Sequence, residues 1–131
     1  MDSLLQEVFR YAQDTYGTEP EYPWEGDRES AVLRRADNRK WYALAMCLAR
    51  ERLGLPGPGR VWVLNVKCSP VLLASLRGTP GYLPAYHMNK ASWLTVLLDG
   101  TAPLGEVTGL LDLSYSLTGP KLRRRPPAAP L

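Results

Sequence analysis

Residues Val61–Cys68 constrain the fold more than any other stretch of this chain. Trp62, Leu64, Val66 and Cys68 alternate with Val63, Asn65 and Lys67. The segment therefore reads as a β-strand with one apolar face and a second face that turns polar towards its end. The next two residues, Ser69-Pro70, form a helix start. Serine suits the N-cap, and proline at the first helical position gives up only an N–H that would lack a partner there. A strand that runs into a helix without a linker calls for a sheet on one side and a helical layer on the other.

The rest of the chain supplies both. From Ser3 to about Tyr16, Leu4, Leu5, Val8, Phe9, Tyr11, Ala12 and Tyr16 recur at three- and four-residue steps, and Gly17 supplies the stop. Ala31–Ala36 reads as a short strand, with Asp37-Asn38 as a turn after it. Lys40–Leu48 is rich in alanine and leucine and suits a helix by propensity, but its place after a tight turn makes it the second strand of a hairpin. Arg50–Arg60 is broken by Gly54, Pro56, Gly57, Pro58 and Gly59 and reads as a loop. The helix begun at Pro70 ends near Arg77-Gly78, Tyr82–Met88 is extended at best, and Ser92–Leu98 is a strand closed by Asp99-Gly100. Pro103–Tyr115 has helical spacing in Leu104, Val107, Leu110, Leu111 and Tyr115. Gly105 and Gly109 weaken it by about 1 kcal/mol each relative to alanine.

The order is helix, three strands, helix, two strands, helix. That gives an α+β two-layer sandwich with an antiparallel five-stranded sheet. Three helices cover one face, so the other is expected to be partly open and to be the surface on which function sits. With 131 residues the chain has room for one domain, taken as 1–118. Residues 119–131 read as a basic, proline-rich, disordered tail. No apolar stretch approaches the ~20 residues of a membrane-spanning helix. Asp2 and Glu7 stand where a secretory signal would be basic, so the expected compartment is the cytoplasm.

Charge is unevenly placed. Residues 1–30 hold eight acids against Arg10 and Arg28, whereas residues 31–93 hold ten basic residues against Asp37 and Glu51. Removing Lys121, Arg123, Arg124 and Arg125 turns the net +3 of the chain into −1, so the basic character belongs to the tail. A fold can turn this asymmetry of sign into a basic face or dissipate it.

Few residues suggest reaction chemistry. Cys47 and Cys68 form no C-x-x-C pair and lie in apolar strands, where buried, free, slowly reacting thiols are expected. His87 is the only histidine, so a Cys–His dyad or a zinc site lacks partners. No nucleophile-elbow, P-loop or dinucleotide motif is present. The chain is expected to be no enzyme and to carry no cofactor or metal. The densest constellation is Pro84-Ala85-Tyr86-His87-Met88-Asn89-Lys90, followed by Trp93. Its plainest reading is a structural junction, with Tyr86 and His87 half-buried in a polar network and Lys90 reaching solvent.

The segment from Pro80 through Tyr86-His87-Met88-Asn89-Lys90 to Trp93 resembles the signature of the MmcQ/YjbR family. Asn65-Val66-Lys67-Cys68-Ser69-Pro70, Ser114-Tyr115-Ser116-Leu117 and Lys40-Trp41 agree with it in order and spacing. The likeness covers about residues 1–118. Ala91-Ser92 departs from it, since the family often has a polar or basic residue just before the tryptophan, and the tail lies outside it. The resemblance implies the architecture given above, similar to secretion chaperones and more loosely to frataxin-like (CyaY-like) proteins. It also implies a DNA-binding label attached to a double-wing shape.

Two functional classes remain. A weak nucleic-acid-binding domain would use Arg34, Arg35, Arg39, Lys40, Lys67 and Lys90 for phosphates and exposed aromatics such as Trp41 or Tyr86 for bases. A protein-interaction module would use the open sheet face or a sheet edge, as a monomer or weak homodimer. A small-molecule or metal site around His87 ranks third, because the carboxylates lie mostly near the N-terminus.

Overall fold

The computed structural model describes residues 3–120. The elements are α1 (Ser3–Tyr16), β1 (Ser30–Arg34), β2 (Trp41–Ala49), a 3₁₀ turn (Arg50–Leu53), β3 (Arg60–Lys67), α2 (Pro70–Leu76), β4 (Tyr82–Pro84), β5 (Trp93–Leu97) and α3 (Leu104–Leu117). The five strands form one antiparallel sheet in the order β1-β2-β3-β5-β4. The fold is α+β, as the residue pattern predicts. At α2 the Ser69 side chain accepts from the Leu72 N–H, with Pro70 in the first turn. Of the tail expected over residues 119–131, only Gly119 and Pro120 are among the described residues. The Gly119 N–H still donates to Ser116 O and closes α3, and residues 121–131 lie outside the described residues.

A bulge in β2 sets the core. Leu33 pairs with Ala43 but Arg34 pairs with Trp41, so Tyr42 is the extra residue. Its ring is fully buried among the residues facing the helices, and its hydroxyl donates to Thr18 Oγ1 at 2.7 Å. Burial pushes the Tyr42 phenol up to about 12. The buried Ser114 on α3 ties off the ladder here: its hydroxyl donates to Tyr42 O at 2.6 Å and accepts from the Lys67 N–H at 2.8 Å. Tyr115 stacks on Tyr16 with ring centroids 3.8 Å apart. The Ser114-Tyr115 pair is thus a device that joins α3 to the sheet.

The sheet face away from the helices is not an open platform. Val32, Leu44, Met46, Val61, Val63 and Leu97 are buried there, each side chain gaining about 1.5–3 kcal/mol over exposure. Left bare they would form an apolar patch that soluble monomers rarely carry. Two loops cover them: Leu53 and Leu55 pack down after β2, and Tyr86 and Met88 after β4. The expectation of an exposed face is corrected accordingly. The β1 edge is also engaged, because Glu21 and Val32 exchange main-chain hydrogen bonds at 3.0 and 2.9 Å. Both cysteines are free, but Cys47 is only half-buried, so the expectation of burial holds for Cys68 alone.

Candidate nucleic-acid interface

The acidic segment supplies carboxylates to Arg34 and Arg39 of the first hairpin and to Arg60 of β3. Glu21 holds Arg34 and Arg39, each at 3.0 Å, and Glu29 holds Arg60 at 2.6 Å. Burial works against ionisation of Glu21, but the hydrogen bonds from Arg39 and Arg34 outweigh it and hold the carboxyl below its usual range. Arg34 also lies 5.7 Å from the centre of the Trp41 ring.

Arg35 is not a surface cation at all. It is 9% exposed, paired in a two-toothed fork with Asp37, and its guanidinium lies 3.9 Å from the centre of the Tyr115 ring. It donates to Tyr115 O at 2.5 Å, while Asn38 Nδ2 donates to Thr118 O at 2.9 Å. The β1–β2 turn therefore caps the C-terminal end of α3, where carbonyls lack partners and positive charge is favoured. The reading of Arg35 as a phosphate contact is corrected for that reason, and Arg34 and Arg39 are already committed to a carboxylate.

Two further cations come together elsewhere. Arg52, from the 3₁₀ turn, and Lys90 line a groove of about 350 Å³ together with Leu53, Leu83, Pro84, Ala85, Tyr86 and His87. No carboxylate is among these lining residues. The Arg52 guanidinium donates to the Tyr86 hydroxyl at 3.4 Å, so the two loops that cover the sheet meet at this point. His87 is exposed rather than half-buried, and its ring stacks on Tyr86 with centroids 4.1 Å apart and planes 11° from parallel. Lys90 reaches solvent, and Arg77 donates to its carbonyl oxygen at 3.1 Å. Lys40 is exposed in the β1–β2 turn and Lys67 half-buried on β3; neither lines the groove.

Of Tyr86 and His87, where a polar network is expected, only Tyr86 has one, and it runs through the main chain. Asn65 on β3 and Thr95 on β5 are both fully buried. Asn65 Nδ2 donates to Tyr86 O at 3.0 Å, the Tyr86 N–H donates to Thr95 Oγ1 at 2.9 Å, and Thr95 Oγ1 donates to Asn65 Oδ1 at 2.6 Å. This triangle holds Tyr86 on the sheet and aims the next residue outward. His87 takes a left-handed backbone, φ 59°, uncommon for a residue with a Cβ. Met88 then packs back into the covered face. Asn89 shapes the return: Oδ1 accepts from the Ala91 N–H, and its main-chain oxygen from Ser92 and Trp93. Gly81, earlier in the motif, has φ 96°, and a Cβ there would lie 3.2 Å from Ala102 N, so glycine is required.

The arrangement can hold an anion with a flat, unsaturated body. It offers cations, an exposed ring stack and an apolar floor. Arg52, Thr95 and Asn65 are the residues that sequence reasoning missed as site residues. Asn65 carried a signal, a polar residue inside an apolar strand, whereas nothing local marks Arg52. Among the described residues no three His, Cys, Asp or Glu side chains come together as metal ligands, and no helix is long and apolar enough to cross a membrane.

Known proteins of similar sequence and structure fit this architecture. The chain is 42% identical to YyaQ of Bacillus subtilis, itself uncharacterised, over 86% of this chain and 96% of that protein. It is 42% identical to the uncharacterised YjbR of Escherichia coli over 40% of this chain and 45% of that one. A crystal structure of a Pseudomonas syringae protein superposes with a TM-score of 0.83 at 46% identity, covering 87% of this chain and 97% of that one. A Deinococcus radiodurans protein with a DUF419 domain superposes at 0.66 and 26% identity, covering 86% and 76%. The YjbR family model matches residues 13–117, and on that match and these relatives the chain belongs to the MmcQ/YjbR family.

Proposed function

We propose that the chain is a non-enzymatic nucleic-acid-binding domain whose contact surface is the groove between Arg52 and Lys90, not the arginines of the first hairpin. One observation carries this reading. Arg34 and Arg39 share Glu21 and Arg35 is paired with Asp37, whereas Arg52 and Lys90 line a groove with no carboxylate among its lining residues, beside the exposed His87 stacked on Tyr86. Two such cations neutralise about 2 phosphates, which makes binding weak and gives log K a slope against log salt of about −1.4 to −1.8. Nothing in the groove resembles a row of Arg, Asn or Gln on a helix reading base edges, so sequence preference is slight.

The tail is the confounder, since its four cations bind any polyanion. The test therefore uses the full chain with Lys121, Arg123, Arg124 and Arg125 replaced by Gln. DNA binding that persists in this protein, and whose salt slope drops by about 1 in Arg52→Gln and in Lys90→Gln, supports the reading. Binding that disappears with the tail charges overturns it.

A protein-interaction role has its own observation. Leu72, Leu76, Leu110 and Leu113 line an apolar groove of about 320 Å³ between α2 and α3, and nearby Val71 is 81% exposed. That groove, and not the covered sheet face, is where such a partner would sit.

A further inference from the structure

We infer that the groove takes one unstacked nucleotide of a single strand, its base laid on the outer face of His87 and its phosphate held by Arg52 and Lys90. This rests on the nucleic-acid reading and narrows it. Tyr86 stacks on one side of the imidazole and His87 is an exposed residue, which leaves room for one more ring on the stack. Bases stack on such platforms whatever their identity, because each has a π face. In a duplex those faces are occupied by neighbouring base pairs. A groove of about 350 Å³ lies at the small end of ligand sites, the scale of one nucleotide rather than a groove of duplex DNA.

The geometry is built for presentation. An outward ring in the left-handed region is costly unless its surroundings enforce it. Here both main-chain polar groups of Tyr86 are pinned by Asn65 and Thr95, and the Tyr86 hydroxyl meets Arg52. The same contacts that fix the ring stack also bring a cation beside it. Arg77, bonded to the Lys90 carbonyl, steadies the far side. Helices α1, α2 and α3 pack on the other face of the sheet and none of their residues lines the groove, so the groove offers no α-helix to enter a major groove.

The test uses the full chain with its four tail cations replaced by Gln and three fluorescent probes: a ten-residue oligothymidylate, an abasic strand of equal charge, and a ten-base-pair duplex. Fluorescence anisotropy at low salt is expected to show the oligothymidylate binding about fivefold to a hundredfold more tightly than the abasic strand. His87→Gly is the key variant, because glycine accepts the positive φ without strain while the ring is lost. It should bind the oligothymidylate and the abasic strand alike, with an unchanged or raised melting temperature. If wild type treats the oligothymidylate, abasic strand and duplex alike, or His87→Gly keeps the preference, the nucleotide inference is wrong and the broader reading stands. If none of the three probes binds, both fall together.

Discussion

Thr95 Oγ1 donates to Asn65 Oδ1 at 2.6 Å across two neighbouring strands, and the pair captures both main-chain polar groups of Tyr86. Polar side chains at two fully buried positions in a sheet are expensive unless every donor and acceptor is used. Here the satisfied network converts that cost into position: the loop after β4 can settle on the sheet in only one register.

Thr95→Val keeps the shape of the side chain but leaves the Tyr86 N–H and the Asn65 amide oxygen without their partner. The expected cost is about 1–3 kcal/mol, seen as a fall of several degrees in Tm. Native-state hydrogen exchange should show the Tyr86 amide opening faster than those at the centre of β3. An unchanged Tm with an equally protected Tyr86 amide would show that the triangle carries no energy.

Arg35 and its two neighbours should behave oppositely to their apparent equivalence in the sequence. Arg35→Gln removes charged hydrogen bonds to Asp37 and Tyr115 O and the contact with the Tyr115 ring, a loss of about 2–4 kcal/mol. Lysine should restore little of it, because the planar fork is what fits. Arg34→Gln and Arg39→Gln break half-exposed pairs worth under about 1 kcal/mol each. Urea unfolding of the three variants ranks them directly, and none should change DNA affinity while folded.

What the sequence reveals and what it conceals divide by contact distance. The alternation in Val61–Cys68, the Ser69-Pro70 start and the helical spacing in α1 are local patterns, and the structure reproduces them. The β2 segment was ambiguous by propensity, and pairing with β1 and β3 decided it. Three features have no local trace. The bulge at Tyr42 is set by Ser114, 72 residues away. Arg35 is drawn inward by a carbonyl 80 residues distant. Arg52 meets Tyr86 across 34 residues and three intervening elements. The family motif marks the segment that lines the groove, but the residue pattern could not say that His87 is exposed and the Tyr86 main chain is bound by Asn65 and Thr95.

The first hairpin should also set the acid limb of stability. Glu21 and Asp37 both have carboxyls held below their ordinary range, Asp37 chiefly by its hydrogen bond from Arg35. A folded-state pKa below the unfolded one means the stabilisation is complete above the unfolded carboxylate range, about 4, and is lost as pH falls through the lower folded value. Glu21→Gln removes one such group. Its Tm should lie below wild type at pH 6, and the gap should close as the pH falls below the ordinary carboxylate range and Glu21 of the wild type takes up its proton. Parallel Tm curves for the two proteins across this range would deny Glu21 that role.

The two thiols should separate cleanly. Cys68 is buried beside the start of α2, and burial pushes its thiol up, so little thiolate forms in the native state. Cys47 lies near the end of β2, half-buried, with its carbonyl bound by the Arg60 guanidinium. Access therefore differs more than chemistry does. A chromogenic disulfide reagent added to the native protein at pH 8 should modify one thiol per chain in a fast phase and the second only on unfolding. Cys47→Ser should abolish the fast phase, and Cys68→Ser should leave it intact. Equal rates for both thiols would mean that α2 opens readily, and that the Ser69-Pro70 helix start, so clear in the sequence, holds its helix only loosely on the sheet.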